Sequence, residues 1–245
     1  MKAFALSHQG LVRPNNEDNY LSHPKQRLFA VADGMGGHAG GEVASQIAVD
    51  TVAEYLKGEI TPDKVAGAFV AAHKAIDQRV KSAPELQGMG TTLTLAVIRP
   101  GNLLIGHIGD SRAYLVDSET AKFLTTDHTV CSQLLAAGKI TQEEARSHPQ
   151  RHVLTRVLGA STDLGADVDF HPWQPGQHLL LCTDGLSSLL REDEMTEIVN
   201  YPFSLEQRVN LLMSTALERG APDNVTLVLA ELNATEEGGE DHDWR

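Results

Sequence analysis

The side chains able to do chemistry are mostly acids placed where strands stop. Leu28-Phe29-Ala30-Val31-Ala32 runs into Asp33-Gly34, the Leu103 to Ile108 run into Gly109-Asp110, and Leu179-Leu180-Leu181-Cys182-Thr183 into Asp184-Gly185, while Asp223-Asn224 opens a last strand. Singly, each is an ordinary turn, since Gly accepts positive φ and Asp bonds its own backbone. If the strand ends converge, however, several carboxylates crowd one mouth. Like charges about 4 Å apart repel by about 4 kcal/mol at an effective dielectric of about 20, so something positive must offset them. Oxygen ligands with no Cys and no obligatory His suit a hard divalent cation, Mg²⁺ or Mn²⁺, better than zinc.

Arg13-Pro14-Asn15-Asn16-Glu17-Asp18 adds two adjacent acids and a guanidinium. Alone it reads as a polar turn before a strand. Beside a carboxylate-held metal pair, the planar fork of Arg13 is what a phosphate ester needs, because it can bind two phosphate oxygens at once. The glycine-rich stretch Gly34-Met35-Gly36-Gly37-His38-Ala39 satisfies the loose dinucleotide pattern GxGxxA. That rival requires a second parallel strand after the first helix, ending in an acid about 20 residues on. Glu54 instead falls inside the expected helix, and another helix follows.

The elements that must position these groups are legible in the apolar spacing. Val43, Ala44, Ile47, Ala48, Val52, Tyr55 and Leu56 share one helical face, and Val65, Phe69, Ala72, Ile76 and Val80 share another after the start signal Thr61-Pro62. Thr141 with Glu144, and Ser204 with Gln207, open two more helices through capping boxes, the second running to about Arg219. Strands are expected at 4–7, 28–32, 92–98, 103–108, 113–116, 178–183 and 225–230. Helices come in pairs and do not alternate with strands. That order predicts an α+β layered domain with antiparallel sheets and helices packed outside, and excludes a doubly wound parallel sheet.

A chain of 245 residues can bury a substantial core. With 20 Lys plus Arg against 33 Asp plus Glu, the net charge of −13 argues against nucleic acid and anionic membranes as partners. Cys131 and Cys182 lie in no CxxC or Cys/His pattern. The opening residues lack an apolar signal core and no run nears the roughly 18 apolar residues of a membrane span, so a cytoplasmic location is expected. Residues 233–245 carry five acids against Arg245 and read as a disordered tail, leaving residues 1–232 as one domain. The chain has no GxSxG elbow, no P-loop GK[ST] and no HExxH.

RPNNED at 13–18, DGMGGHAGGEVAS at 33–45, GMGTT at 88–92, GDSRAY at 109–114, TDG at 183–185 and DN at 223–224 resemble, in order, the motifs of the bacterial metal-dependent serine/threonine protein phosphatases of type 2C. The resemblance spans residues 1–232. It implies a four-layer αββα sandwich, two antiparallel β-sheets flanked by pairs of antiparallel helices, with Mn²⁺ or Mg²⁺ at one end and a third metal in bacterial members. It further implies that Asp33 bridges two metals, that Asp184 and Asp223 complete the first, and that the Gly34 carbonyl serves the second. Glu17 and Asp18 would hold metal-bound waters, and Asp110 with Asp184 a third metal.

The implied reaction is hydrolysis of phosphoserine and phosphothreonine in proteins, opposing Ser/Thr kinases. A metal-activated water would attack phosphorus in line while Arg13 neutralises the equatorial oxygens. His38 is the implied general acid for the departing oxygen. The other histidines, including His107, His128, His148 and His152, are taken as structural or exposed. Residues 129–165 correspond to the family's flap, which varies between members. Two other classes stay in competition: a catalytically dead member acting as a binding module, and the nucleotide-binding oxidoreductase of GxGxxA.

Overall fold

The computed structural model describes residues 1–36, 40–160 and 164–233. The chain begins with strands β1 (Ala3–His8), β2 (Asp18–His23) and β3 (Leu28–Met35), followed by helices α1 (Gly40–Tyr55) and α2 (Pro62–Ser82). Five strands come next: β4 (Gly90–Thr91), β5 (Leu93–Arg99), β6 (Asn102–Ile108), β7 (Arg112–Val116) and β8 (Ala121–Phe123). Helices α3 (Val130–Ala136) and α4 (Gln142–Ser147) lead to β9 (Asp167–Pro172) and β10 (Gln177–Cys182). Then α5 (Asp184–Ser187), α6 (Glu192–Val199), α7 (Leu205–Glu218) and β11 (Val225–Leu232) complete the described part.

The strands form two antiparallel sheets, ordered β1-β11-β10-β7-β8 and β2-β3-β5-β6-β9, with β4 added beside β3. Their facing sides pack through Phe29, Val31, Ile105, Leu115, Leu181 and Val228, all buried. The second sheet's outer side carries Leu28, Leu95 and Leu104 against Val52 of α1 and Phe69 and Ile76 of α2. The first sheet's outer side carries Leu180 and Leu229 against Met195 of α6 and Val209 and Leu212 of α7. Burial therefore alternates along each strand between inter-sheet and helix-facing cores, which makes four layers.

Local chemistry explains the boundaries. The Thr61 side chain accepts from the Lys64 amide and Pro62 takes the first helical position of α2, whose buried Val65, Ala68, Phe69, Ala72 and Ile76 recur every three or four residues. The capping boxes at Thr141 with Glu144 and Ser204 with Gln207 form as expected. The dinucleotide alternative is overturned here, because β3 pairs antiparallel with both β2 and β5 and the helix following it leads into another helix. No helix among the described residues is long and apolar enough to cross a membrane.

Candidate active site

The acids converge where the two sheets meet at one end. Asp18 and Asp33 are direct cross-strand partners, which places two carboxylate-bearing residues side by side at the end of β2 and β3. Asp33 lies inside β3 and not after it, because the strand continues through Gly34 to Met35 and pairs there with β4. Its backbone is held by Thr92, whose hydroxyl accepts from the Asp33 amide at 2.9 Å, and by Thr91, whose hydroxyl donates to the Asp33 carbonyl at 2.9 Å. A Cβ on Gly34 would fall on the Gly41 carbonyl oxygen and within 2.5 Å of the Glu17 carbonyl oxygen, so only glycine lets these segments close together.

From the first sheet, Asp184 opens α5 just beyond β10, and Asp223 precedes β11. Asp110 sits in the turn between β6 and β7, where Ser111 contacts the Thr92 hydroxyl at 2.7 Å. Across the sheets, the Thr183 hydroxyl donates to Asp18 Oδ2 at 2.9 Å. Asn224 joins the remaining segment: its Oδ1 accepts from the Glu17 amide, and its Nδ2 donates to the carbonyls of Gln9 and Asn15, each at 2.8 Å. Sequence reasoning quoted Asn224 only as part of the Asp223-Asn224 motif and gave it no role; its burial and its three bonds are visible only in the structure.

The electrostatics are those of a cation site. Burial first, then the charges of Asp18, Asp184, Asp110 and Asp223, pushes the Asp33 carboxyl well above its usual range. Burial also raises Asp18 to about 7 and Asp110 to about 8, each aided by Asp184. The Oδ1 atoms of Asp18 and Asp184 are buried with no hydrogen-bond partner among the described residues. Orphaned carboxylate oxygens among mutually repelling acids fit a hard divalent ion. Among the described residues no group of three or more Asp, Glu, His or Cys side chains is already closed to an ion's coordination distances.

A guanidinium from the loop after β1 reaches the acids. Arg13 Nη2 bonds Asp223 Oδ2 at 2.7 Å, and that hydrogen bond raises its pKa further. Glu17 stands close enough to feel Arg13, although burial dominates and raises its pKa. His152, taken from sequence as structural or exposed, reaches the mouth: its Nδ1 lies 3.5 Å from Asp184 Oδ2, whose hydrogen bond raises the imidazole pKa. His38 lies outside the described residues.

A profile described as protein phosphatase 2C matches residues 8–222. The chain belongs to the protein phosphatase 2C family. Among relatives, the serine/threonine phosphatase stp of Listeria innocua is 34% identical over 248 residues, covering 97% of this chain and 98% of its own. The serine/threonine protein phosphatase PstP of Mycobacterium tuberculosis is 40% identical over 231 residues, which are 93% of this chain and 44% of that longer protein. The crystal structure of the M. tuberculosis PstP/Ppp phosphatase superposes with a TM-score of 0.89 at 39% identity, covering 95% of this chain and 98% of that one. The catalytic domain of PstP in complex with two manganese ions superposes with a TM-score of 0.85 at 36% identity over the same shares. The expected α+β sandwich is thus the architecture found in this family.

Proposed function

We propose that this family member hydrolyses phosphoserine and phosphothreonine in proteins, using Mn²⁺ or Mg²⁺ held at the acidic mouth. The observation that carries the reading is the meeting of Asp18, Asp33, Asp110 and Asp184 around orphaned carboxylate oxygens, with Arg13 beside Asp223. The two manganese ions in the PstP catalytic domain support it. Asp33, Asp184, Asp223 and the Gly34 carbonyl would hold two ions, Glu17 and Asp18 would act on them through water, and Asp110 with Asp184 would offer a third position. When bound, such ions supply Lewis acidity and a water of lowered pKa.

Each remaining task falls to the chain. Arg13 directs its planar donors at the phosphoryl oxygens and compensates their charge. Asp223 fixes the guanidinium plane, as an acceptor that leaves the other Arg13 donors for substrate. His38 gives a proton to the departing seryl or threonyl oxygen. Residues 1–232 form the catalytic domain, with the flap at about 129–165; the tail expected from 233 onward lies, after residue 233, outside the described residues. The enzyme works in the cytoplasm against Ser/Thr kinases, whose products are its substrates.

Phosphate release from a phosphothreonine peptide, measured with Mn²⁺ and with EDTA, tests this. The expected outcome is metal-dependent release, lost in Asp33→Asn and reduced about a hundredfold in Arg13→Ala. No release with Mn²⁺ would leave the binding-module reading standing.

A further inference from the structure

Leu11 and Val12, at 62% and 69% exposure, are the most exposed large apolar side chains among the described residues. They immediately precede Arg13, so their Cα atoms lie within about 8 Å of the phosphate-directed residue. Their exposure is not that of a loose loop. Leu11 donates its amide to the Ala221 carbonyl at 2.9 Å, and Gln9 Nε2 donates to the Arg13 carbonyl at 2.6 Å. Asn224 grips Gln9 on one side of the pair and Asn15 on the other. Gly10 takes φ +78°, and a Cβ there would strike the Asp223 carbonyl oxygen.

A loop pinned this firmly keeps two aliphatic side chains in water, where they cannot fold inward. Rigid, exposed apolar groups beside a polar anchor are the pattern of contact sites, because little further ordering is needed when a partner covers them. The partner is argued from continuity with Arg13: Leu11 and Val12 directly precede the residue whose guanidinium reaches the mouth at Asp223, so the residues flanking a phosphosite held there are the chain nearest to them. The acids of the mouth make acidic neighbours unfavourable there.

Resting on the phosphatase reading, we propose that Leu11 and Val12 form a fixed apolar rim that receives the side chain next to the phosphorylated residue, so that phosphosites flanked by aliphatic or aromatic residues are preferred. The test uses two phosphothreonine peptides differing only in Leu or Ala on both sides of the phosphothreonine, with p-nitrophenyl phosphate as a substrate that has no flanks. The intact chain should favour the Leu peptide about tenfold in kcat/KM, through KM. In Leu11→Ser/Val12→Ser that ratio should fall to about two; both positions are exposed, so the fold should tolerate the change. No Leu preference in the intact chain, or a preference that survives the double substitution, overturns the rim. An equal loss with p-nitrophenyl phosphate also overturns it, since the loop would then only hold Arg13. If the intact chain fails to turn over p-nitrophenyl phosphate in Mn²⁺, the phosphatase reading itself falls and the rim with it.

Discussion

The mouth has two walls built on different principles. One is the sandwich end, where Thr91, Thr92, Thr183 and Asn224, all buried, hold backbone or carboxylate atoms of distant segments. The other is the flap, whose helices α3 and α4 are short and capped by their own Thr129 and Thr141. The flap joins the sandwich at both ends: before it, Arg112 clasps Asp127 with bonds of 3.0 and 2.6 Å and His128 and Gly109 exchange backbone and ring hydrogen bonds, and at its far end Leu158 and Thr91 exchange backbone bonds of 2.9 and 3.0 Å. Acids set by long-range buried bonds tolerate little change; a locally specified flap can vary while its two ends stay fixed.

The sharpest break of this contrast is Asp33→Asn. Turnover should fall at least a thousandfold, because the cross-strand pair loses the carboxylate shared by the site. Metal-free protein should nonetheless melt higher, since a repelled buried charge is gone; calorimetry in EDTA reads this. Unchanged turnover would detach Asp33 from the chemistry.

Asn224→Asp comes next. The substitution keeps shape but replaces two donated bonds, to the Gln9 and Asn15 carbonyls, with a carboxylate facing carbonyl oxygens. kcat/KM for p-nitrophenyl phosphate should drop about thirtyfold as Arg13 and Glu17 lose register. Gln9→Ala, which removes only the bond to the Arg13 carbonyl, should cost about threefold. Equal losses would show that the clamp is not centred on Asn224.

A third consequence concerns acidity. Without metal, Asp18 near 7 and Asp110 near 8 lie far above their unfolded values. A raised folded pKa contributes stability that is full below the unfolded pKa and is lost as pH rises through the folded one. Metal-free protein should therefore lose about 5 °C of Tm between pH 5.5 and 8, and Mn²⁺ should restore it at pH 8. A flat profile in EDTA would remove the crowding that the cation offsets.

How far the sequence reaches follows the same division. Hydrophobic runs announced β3, β5, β6, β7, β10 and β11 within two or three residues at each end, since each is buried on both faces. β2 (DNYLSH) and β9 (DVDFHP) escaped because they are edge strands with polar or exposed positions and too few apolar residues to show a period. Helix α6 escaped for a similar reason: its Glu192-Asp193-Glu194 start hides the apolar Met195, Ile198 and Val199. Asp33, Asp110, Asp184 and Asp223 were legible as strand-end acids, but their convergence came only through family resemblance, because contact between residues 165 apart, such as Thr183 and Asp18, leaves no local signal. His152, expected as structural or exposed, is exposed, and its approach to Asp184 likewise left no local signal.

The smallest expected effect sharpens the flap side. Thr141 and Glu144 close α4 reciprocally, the Thr141 amide donating to Glu144 Oε2 at 2.7 Å and the Glu144 amide to the Thr141 hydroxyl at 3.2 Å. Thr141→Ala removes one side of that box, so the amides of residues 142–147 should exchange about fivefold faster. Turnover of p-nitrophenyl phosphate should stay within about twofold, because no acid of the mouth depends on α4 for its place. A loss as large as that of Asn224→Asp would mean the two walls form one cooperative unit, and the division between a fixed sandwich end and a variable flap would have to be abandoned.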